Sequence, residues 1–199
     1  MTSSRPRLRV AHLGPTGTFS EEAALEHYGD NAELVACRSI LEVVERLVAG
    51  EVDGALVPVE NTQAGAVVES AKALARHGDL LTARHQVRLP VCHQLVSAVG
   101  VHIEDITAVT SHPQALAQCG QFLGRNLPSA TLEPATSTAA AVIRAAGDHR
   151  VAAIASIRAA ALHGAVVLAA DIQDPGENVT TFAALERTQR ALGCRGDSV

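Results

Sequence analysis

The chain has 199 residues and a net charge of −5, with 47% hydrophobic but only 2% aromatic residues. That length suits one large domain or two small lobes, while the negative charge and the scarcity of stacking side chains argue against a nucleic-acid partner. No run approaches the roughly 18 apolar residues of a membrane span, and the three arginines of Met1–Arg9 precede no apolar h-region, so neither an anchor nor a secretory signal is expected.

Arg7–Leu13 reads as a buried strand that ends in the turn cluster Gly14-Pro15-Thr16-Gly17. A helix is predicted over Phe19–Tyr28, with Thr18 or Ser20 as N-cap and Glu21 and Glu22 in its first turn. Ala32–Cys37 is a short strand, and Ser39 caps a helix to about Ala49 whose Ile40, Val43, Val44, Leu47 and Val48 share a face. Gly54–Val59 is an apolar strand, followed by the loop Glu60–Gly65 and a helix from about Ala66 to His77. A second set begins near Val87. It holds strands at Val91–Val96, Ala108–Thr110, Thr131–Ala135, Val151–Ala155 and Val166–Ile172. Helices follow Ser111-His112-Pro113-Gln114 (to about Leu123), Ser137 (to about Ala146) and Ser156. After the polar loop Asp174–Asn178, Thr180–Leu185 forms a last strand, and a charged tail from Arg187 to Val199 is expected to fray.

This alternation predicts an α/β fold of two similar lobes with mostly parallel sheets and a cleft between them. The boundary is placed near Gln86: residues 7–86 with 178–190 form one lobe, and 87–172 the other. Cys37, Cys92, Cys119 and Cys194 lie far apart with no C-x-x-C pair, so free and mostly buried thiols in a reducing compartment are expected, which points to the cytoplasm.

Most polar loops follow predicted strands, where ligands of open α/β sheets bind. Leu13–Ser20 runs from strand through glycine turn to helix start, and offers backbone N–H groups to an anion or forms a plain capped turn; it lacks the Gly-Lys-Ser/Thr ending of a P-loop. Val57–Thr62 brings an acid, an amide and a hydroxyl to a strand end, and Pro58 argues against a regular central strand there. Asn61 suits a substrate hydrogen bond or an Asx-turn equally. Ser111 is the expected N-cap of its helix, and His112 is a candidate general acid or base. The other eight histidines have no partner motif. Thr136-Ser137-Thr138 and Asn178–Phe182 add two further hydroxyl-bearing clusters, each of which also reads as simple capping or turn chemistry. Residues alone lead to a two-lobed α/β protein that binds a small anion.

Taken together, these loops resemble the prephenate dehydratase family. The matching pieces are Leu13–Ala24, Val57–Gly65, Ser111-His112-Pro113-Gln114-Ala115-Leu116-Ala117-Gln118-Cys119, Ser137-Thr138-Ala139, Ala153–Ser156 and Asn178–Phe182, in the family's order from about Val10 to Leu185. The resemblance implies a periplasmic-binding-protein-like pair of lobes forming a single catalytic domain. It implies no metal, no cofactor, and a homodimer. It implies Thr180 as the proton donor. It places substrate against Thr18, Phe19, Ser20, Asn61, Thr62, Ser111, Gln114, Ser137, Thr138, Ala139, Thr181 and Phe182. Prephenate, a dianionic cyclohexadiene with a ring hydroxyl, is the implied ligand.

Three departures stand out. Thr181 occupies the place of the arginine in the family's Thr-Arg-Phe motif, Gln86 aligns with a glutamate, and no phenylalanine-sensing regulatory domain follows within the chain. Losing a bidentate cation and an ionisable group suggests altered proton delivery. The first expectation is therefore a prephenate decarboxylase of the kind used in secondary metabolism such as antibiotic biosynthesis, which expels ring CO2 without aromatisation and leaves a dihydro-hydroxyphenylpyruvate. The alternative is a prephenate or arogenate dehydratase of phenylalanine biosynthesis, and a further one is a non-catalytic small-anion binding protein.

Overall fold

The computed structural model describes residues 7–188. Eleven strands and seven α-helices alternate as β1 (Leu8–Leu13), α1 (Phe19–Tyr28), β2 (Ala32–Cys37), α2 (Ile40–Ala49), β3 (Gly54–Asn61), β4 (Gly65–Ala66), α3 (Val68–His77), β5 (Leu81–Pro90), β6 (Gln94–Ser97), β7 (Ala108–Ser111), α4 (Pro113–Gln118), α5 (Gly120–Asn126), β8 (Thr131–Pro134), α6 (Thr138–Ala146), β9 (Val151–Ala155), α7 (Ile157–Leu162), β10 (Val166–Ala169) and β11 (Val179–Arg187). The strands form two sheets, ordered β2-β1-β3-β11-β5 (with β4 on β3) and β10-β6-β9-β7-β8.

The two sheets share one plan. Each has a parallel trio, β2-β1-β3 or β8-β7-β9, extended on one side by two antiparallel strands. The sheets are therefore mixed, where mostly parallel ones were expected. The reason is the connectivity. β11, returning from the second lobe, is inserted antiparallel between β3 and β5, and β6, arriving from the first, is inserted antiparallel between β9 and β10.

Local chemistry accounts for the elements. Ser39 Oγ accepts from Glu42 N at 3.1 Å to open α2, and Gly50 closes it in the left-handed region (φ 77°). Ser137 and Ser156 likewise cap α6 and α7. Each sheet is covered on both faces. Val43, Val44 and Leu47 of α2 pack with Ala73 of α3 on one face of the first sheet, and Ala23 and Ala24 of α1 meet Leu56, Leu89 and Phe182 on the other. In the second sheet Leu116, Leu123 and Ile154 lie on one side, and Ala141, Val142, Ala145, Ala159 and Ala160 on the other. Alanine-rich contacts let α6 and α7 lie close to their strands, which suits a chain this poor in aromatic residues.

Several expectations are corrected. Residues 87–90, placed by sequence in the second lobe, complete β5 of the first sheet, so the crossing comes after Pro90. Leu81, Val87 and Leu89 are buried while the residues around them are exposed, so this edge strand shows too little apolar run to be read. Despite Pro58, β3 is a central strand extending to Asn61. Its pairing with β11 shifts register opposite Pro58, between Thr181 and Phe182, so the missing N–H falls at a bulge. Cys37 and Cys119 are buried free thiols, but Cys92 is exposed. β11 reaches Arg187, and the rest of the expected tail, 189–199 with Cys194, lies outside the described residues.

Candidate active site

A cavity of about 280 Å3 opens between the two sheets at the carboxyl ends of β1, β3, β7 and β8. The first sheet contributes Leu13, Gly14, Thr18, Phe19 and Ser20 from the β1–α1 turn, Asn61 from the end of β3, and Thr180 from the start of β11. The second contributes His112, Gln114, Ala115 and Gln118 of the β7–α4 segment and Thr136, Ser137 and Thr138 at the start of α6. Val91 and His93, on the crossing segment, close the wall. Among these lining residues there is no Lys, Arg, Asp or Glu; the titratable side chains are two histidines.

Gly17 shapes the turn. Its φ of 87° favours glycine, and a Cβ there would stand 3.3 Å from Ala159 Cα and 3.5 Å from Ala139 Cβ. The turn is thus wedged against α6 and α7 of the other lobe. Three hydrogen bonds hold it. Glu21 accepts from Gly17 N at 2.7 Å and from Arg158 Nε at 3.0 Å, and Ser156 Oγ donates to Gly17 O at 3.3 Å. Thr18 is the N-cap of α1: its hydroxyl accepts from Glu21 N and donates to Leu13 O. The first-turn N–H groups of Phe19 and Ser20, like those of Thr138 and Ala139 in α6, have no acceptor within their helices by helix geometry. Two helix starts therefore present positive dipole ends.

A hydrogen-bond network spans the cavity wall. Asn61 Oδ1 accepts from Gln63 N and Ala64 N, both at 3.0 Å, which fixes the orientation of its amide. Its Nδ2 donates to Asn178 Oδ1 (2.9 Å) and Thr180 Oγ1 (3.0 Å). Asn178 Nδ2 donates in turn to Gln118 Oε1 (3.1 Å), and His93 Nε2 lies 2.9 Å from that same oxygen. Because a carbonyl oxygen only accepts, His93 Nε2 carries the proton. Asn61 is fully engaged within the protein, so it positions Thr180 instead of reaching a ligand. Thr180 Oγ1 already accepts one bond, which leaves its hydrogen to donate.

The structure brings Thr18, Phe19, Ser20, Asn61, Gln114, Ser137, Thr138 and Thr180 to this one cavity. It does not bring Thr62, Ser111, Ala139, Thr181 or Phe182 to the lining. Thr62 Oγ1 donates to Glu177 O and accepts from Val179 N, tying the loop before β11 to the end of β3. Ser111 is fully buried and donates to Ile154 O at 2.6 Å; the N-cap of α4 is instead His112, whose Nδ1 accepts from Gln114 N. Ala139 is buried below α6, and Phe182 belongs to the core. Thr181 sits in register with Glu60 and Arg88 on the neighbouring strands. Gln86 is exposed on β5.

Sequence reasoning missed His93 and the structural parts of Gln118 and Asn178. The run Gln118-Cys119 and the loop ending at Asn178 were visible as motifs, but an isolated histidine after an apolar pair carries no spacing signal. Among the described residues no cluster of three His, Cys, Asp or Glu side chains could hold a metal ion, and no helix is long and apolar enough to cross a membrane.

Comparison with known proteins matches residues 10–190 to the family model described as prephenate dehydratase. The chain is 42% identical over 185 residues to arogenate dehydratase 5 of Arabidopsis thaliana, covering 90% of this chain and 42% of that protein. It is 37% identical over 185 residues to the bifunctional chorismate mutase/prephenate dehydratase of Aquifex aeolicus, covering 93% and 50%. Among solved structures, the prephenate dehydratase of Arthrobacter aurescens, in complex with L-Phe, superposes with a TM-score of 0.84 at 34% identity, covering 92% of this chain and 61% of that one. The chain spans about half the length of the curated relatives it matches.

Proposed function

Because the chain belongs to the prephenate dehydratase family, we propose that it is a carbon–oxygen lyase of aromatic amino acid biosynthesis, dehydrating prephenate or its amino counterpart arogenate. The observation that carries this reading is Thr180. Its hydroxyl faces the cavity, its oxygen is held by the Asn61 amide, and its hydrogen is uncommitted.

In the reaction the bond between ring and carboxylate breaks, CO2 leaves, and its electron pair enters the ring. The C–O bond breaks with its pair on oxygen, and Thr180 donates a proton so that water departs. The Asn61 N–H bond to Thr180 Oγ1 supports this step by stabilising the charge that develops on that oxygen. Thr180 then recovers a proton from solvent. Substrate carboxylates have the N-terminal dipoles of α1 and α6 and the hydroxyls of Ser137 and Thr138 to meet them.

The expectation of a decarboxylase rested on Thr181 and Gln86. Neither lines the cavity, and the relatives named above are dehydratases, which favours dehydration. A homodimer acting in the cytoplasm and a single catalytic domain remain part of the proposal.

The test is to supply prephenate and arogenate separately and identify the product. Phenylpyruvate with its strong absorbance in base, or phenylalanine, supports the reading. Release of CO2 without an aromatic product would instead establish the decarboxylase, and no turnover of either would leave a binding protein.

A further inference from the structure

Glu21 stands where a carboxylate should hinder the binding of an anion. It lies in the first turn of α1 with its side chain 8% exposed, and its Oε2 accepts from the N–H of Gly17, the residue before the cavity-lining Thr18. A buried negative charge there opposes the positive dipole end of α1, and little water screens it. Arg158 answers it from the other lobe, where its Nε donates to the same Oε2 at 3.0 Å. Among the described residues it is the one cation in an ion pair with Glu21. The turn has other supports. The Gly17–Glu21 bond is local, Ser156 Oγ donates to Gly17 O at 3.3 Å, and Gly17 packs closely on Ala139 and Ala159. What Arg158 alone supplies is charge.

Resting on the reading of the cavity as a site for dianionic prephenate, we infer that Arg158 is a positioning residue of that site: it neutralises Glu21 across the two lobes and so leaves the start of α1 free to attract a substrate carboxylate. Arg158 does not line the cavity, so it acts through Glu21 and not by touching the substrate. The other titratable groups around the pair are His12 of β1, which faces both members, and Glu22 of α1, which faces Arg158. Glu26 and Asp30 border the groove in which Arg158 lies.

Three variants of the full chain separate charge from architecture: Arg158→Met, Glu21→Gln and the two combined. Glutamine keeps a carbonyl acceptor for Gly17 N and removes the charge. With folding verified by circular dichroism, Arg158→Met is expected to raise KM for prephenate about tenfold at pH ~8 with kcat little changed, because an unpaired carboxylate weakens substrate and transition state alike. That rise should grow between pH ~5 and ~8 as the unpaired carboxyl ionises. Arg158→Lys, which keeps the charge, should recover most of the loss. Glu21→Gln alone should not raise KM. Added to Arg158→Met, it should bring KM back to within about twofold of the wild type and remove the extra pH dependence. His12, Glu22, Glu26 and Asp30 are common to all variants, so the recovery belongs to Glu21. A combined variant as impaired as Arg158→Met, a loss confined to kcat, or a wild-type KM for Arg158→Met across that pH range would overturn the inference. Calorimetric Kd values for prephenate give the same comparison without turnover. If the wild type binds prephenate but forms no aromatic product, the lyase reading fails while the pattern of Kd values still decides the role of Arg158. A wild type that binds no prephenate overturns both.

Discussion

Thr180 and Asn61 form a donor pair of defined direction, and that makes their substitutions informative. Removing the hydroxyl with Thr180→Val should cost about 10²–10⁴ in kcat, the range of a lost general acid, while Thr180→Ser keeps part of the rate. Asn61→Asp would replace the amide N–H with a carboxylate oxygen, so steady-state kinetics should show a loss in kcat although the side chain is nearly isosteric. Thr181 presents the opposite case. Arginine restored there would stand across from Glu60, with Arg88 already paired to Glu177, so Thr181→Arg is expected to change stability by less than ~1 kcal/mol and kcat/KM by no more than about twofold. A large rise in dehydration by that variant would show that position 181 reaches the substrate after all. Thr18, Asn61, Ser137 and Thr180 were legible because each stands at a strand end or helix start with a recognisable neighbourhood. Alternation along β11 turns Thr180 and Thr181 to opposite faces, and motif reading does not register that.

The helices were legible for a simple reason: Ser39, Ser137 and Ser156 cap them, and their apolar faces repeat at helical spacing. β5 was not, because an edge strand buries one face only and its Thr82–Gln86 stretch is polar. The long reading of α4 also failed. A break at Cys119 divides it from α5, and Asp174 Oδ1 accepts from Gln121 N in the first turn of α5. The β1–α1 turn is where element and lobe packing meet. Gly17→Ala must adopt a positive φ against the backbone of α7, so chemical unfolding should show a loss of more than about 1 kcal/mol. An unchanged midpoint would mean that the turn can withdraw from α7 without cost.

For the molecule as a whole, the two most buried histidines govern the acid side of stability. His12 and His93 both have pKa values lowered mainly by burial. The folded form therefore binds fewer protons than the unfolded chain below the ordinary value of 6.5, and stability present above that value is lost as pH falls through it. Glu22, raised by burial, acts in the opposite sense at lower pH. Urea midpoints should accordingly be lower at pH ~5.5 than at ~7.5, and a His12→Asn variant should show a shallower slope. A flat profile in the wild type would mean that both rings keep access to water.

The wall of uncharged side chains around the cavity also has a kinetic meaning. Short-range N–H dipoles and hydroxyls work at contact distance, where dissolved ions scarcely intervene, whereas a lysine or arginine clamp attracts from afar and weakens as electrolyte is added. The chain's own charge of −5 repels an incoming dianion at long range. Added potassium chloride should therefore leave the second-order rate with prephenate level or slightly faster, and should not slow it.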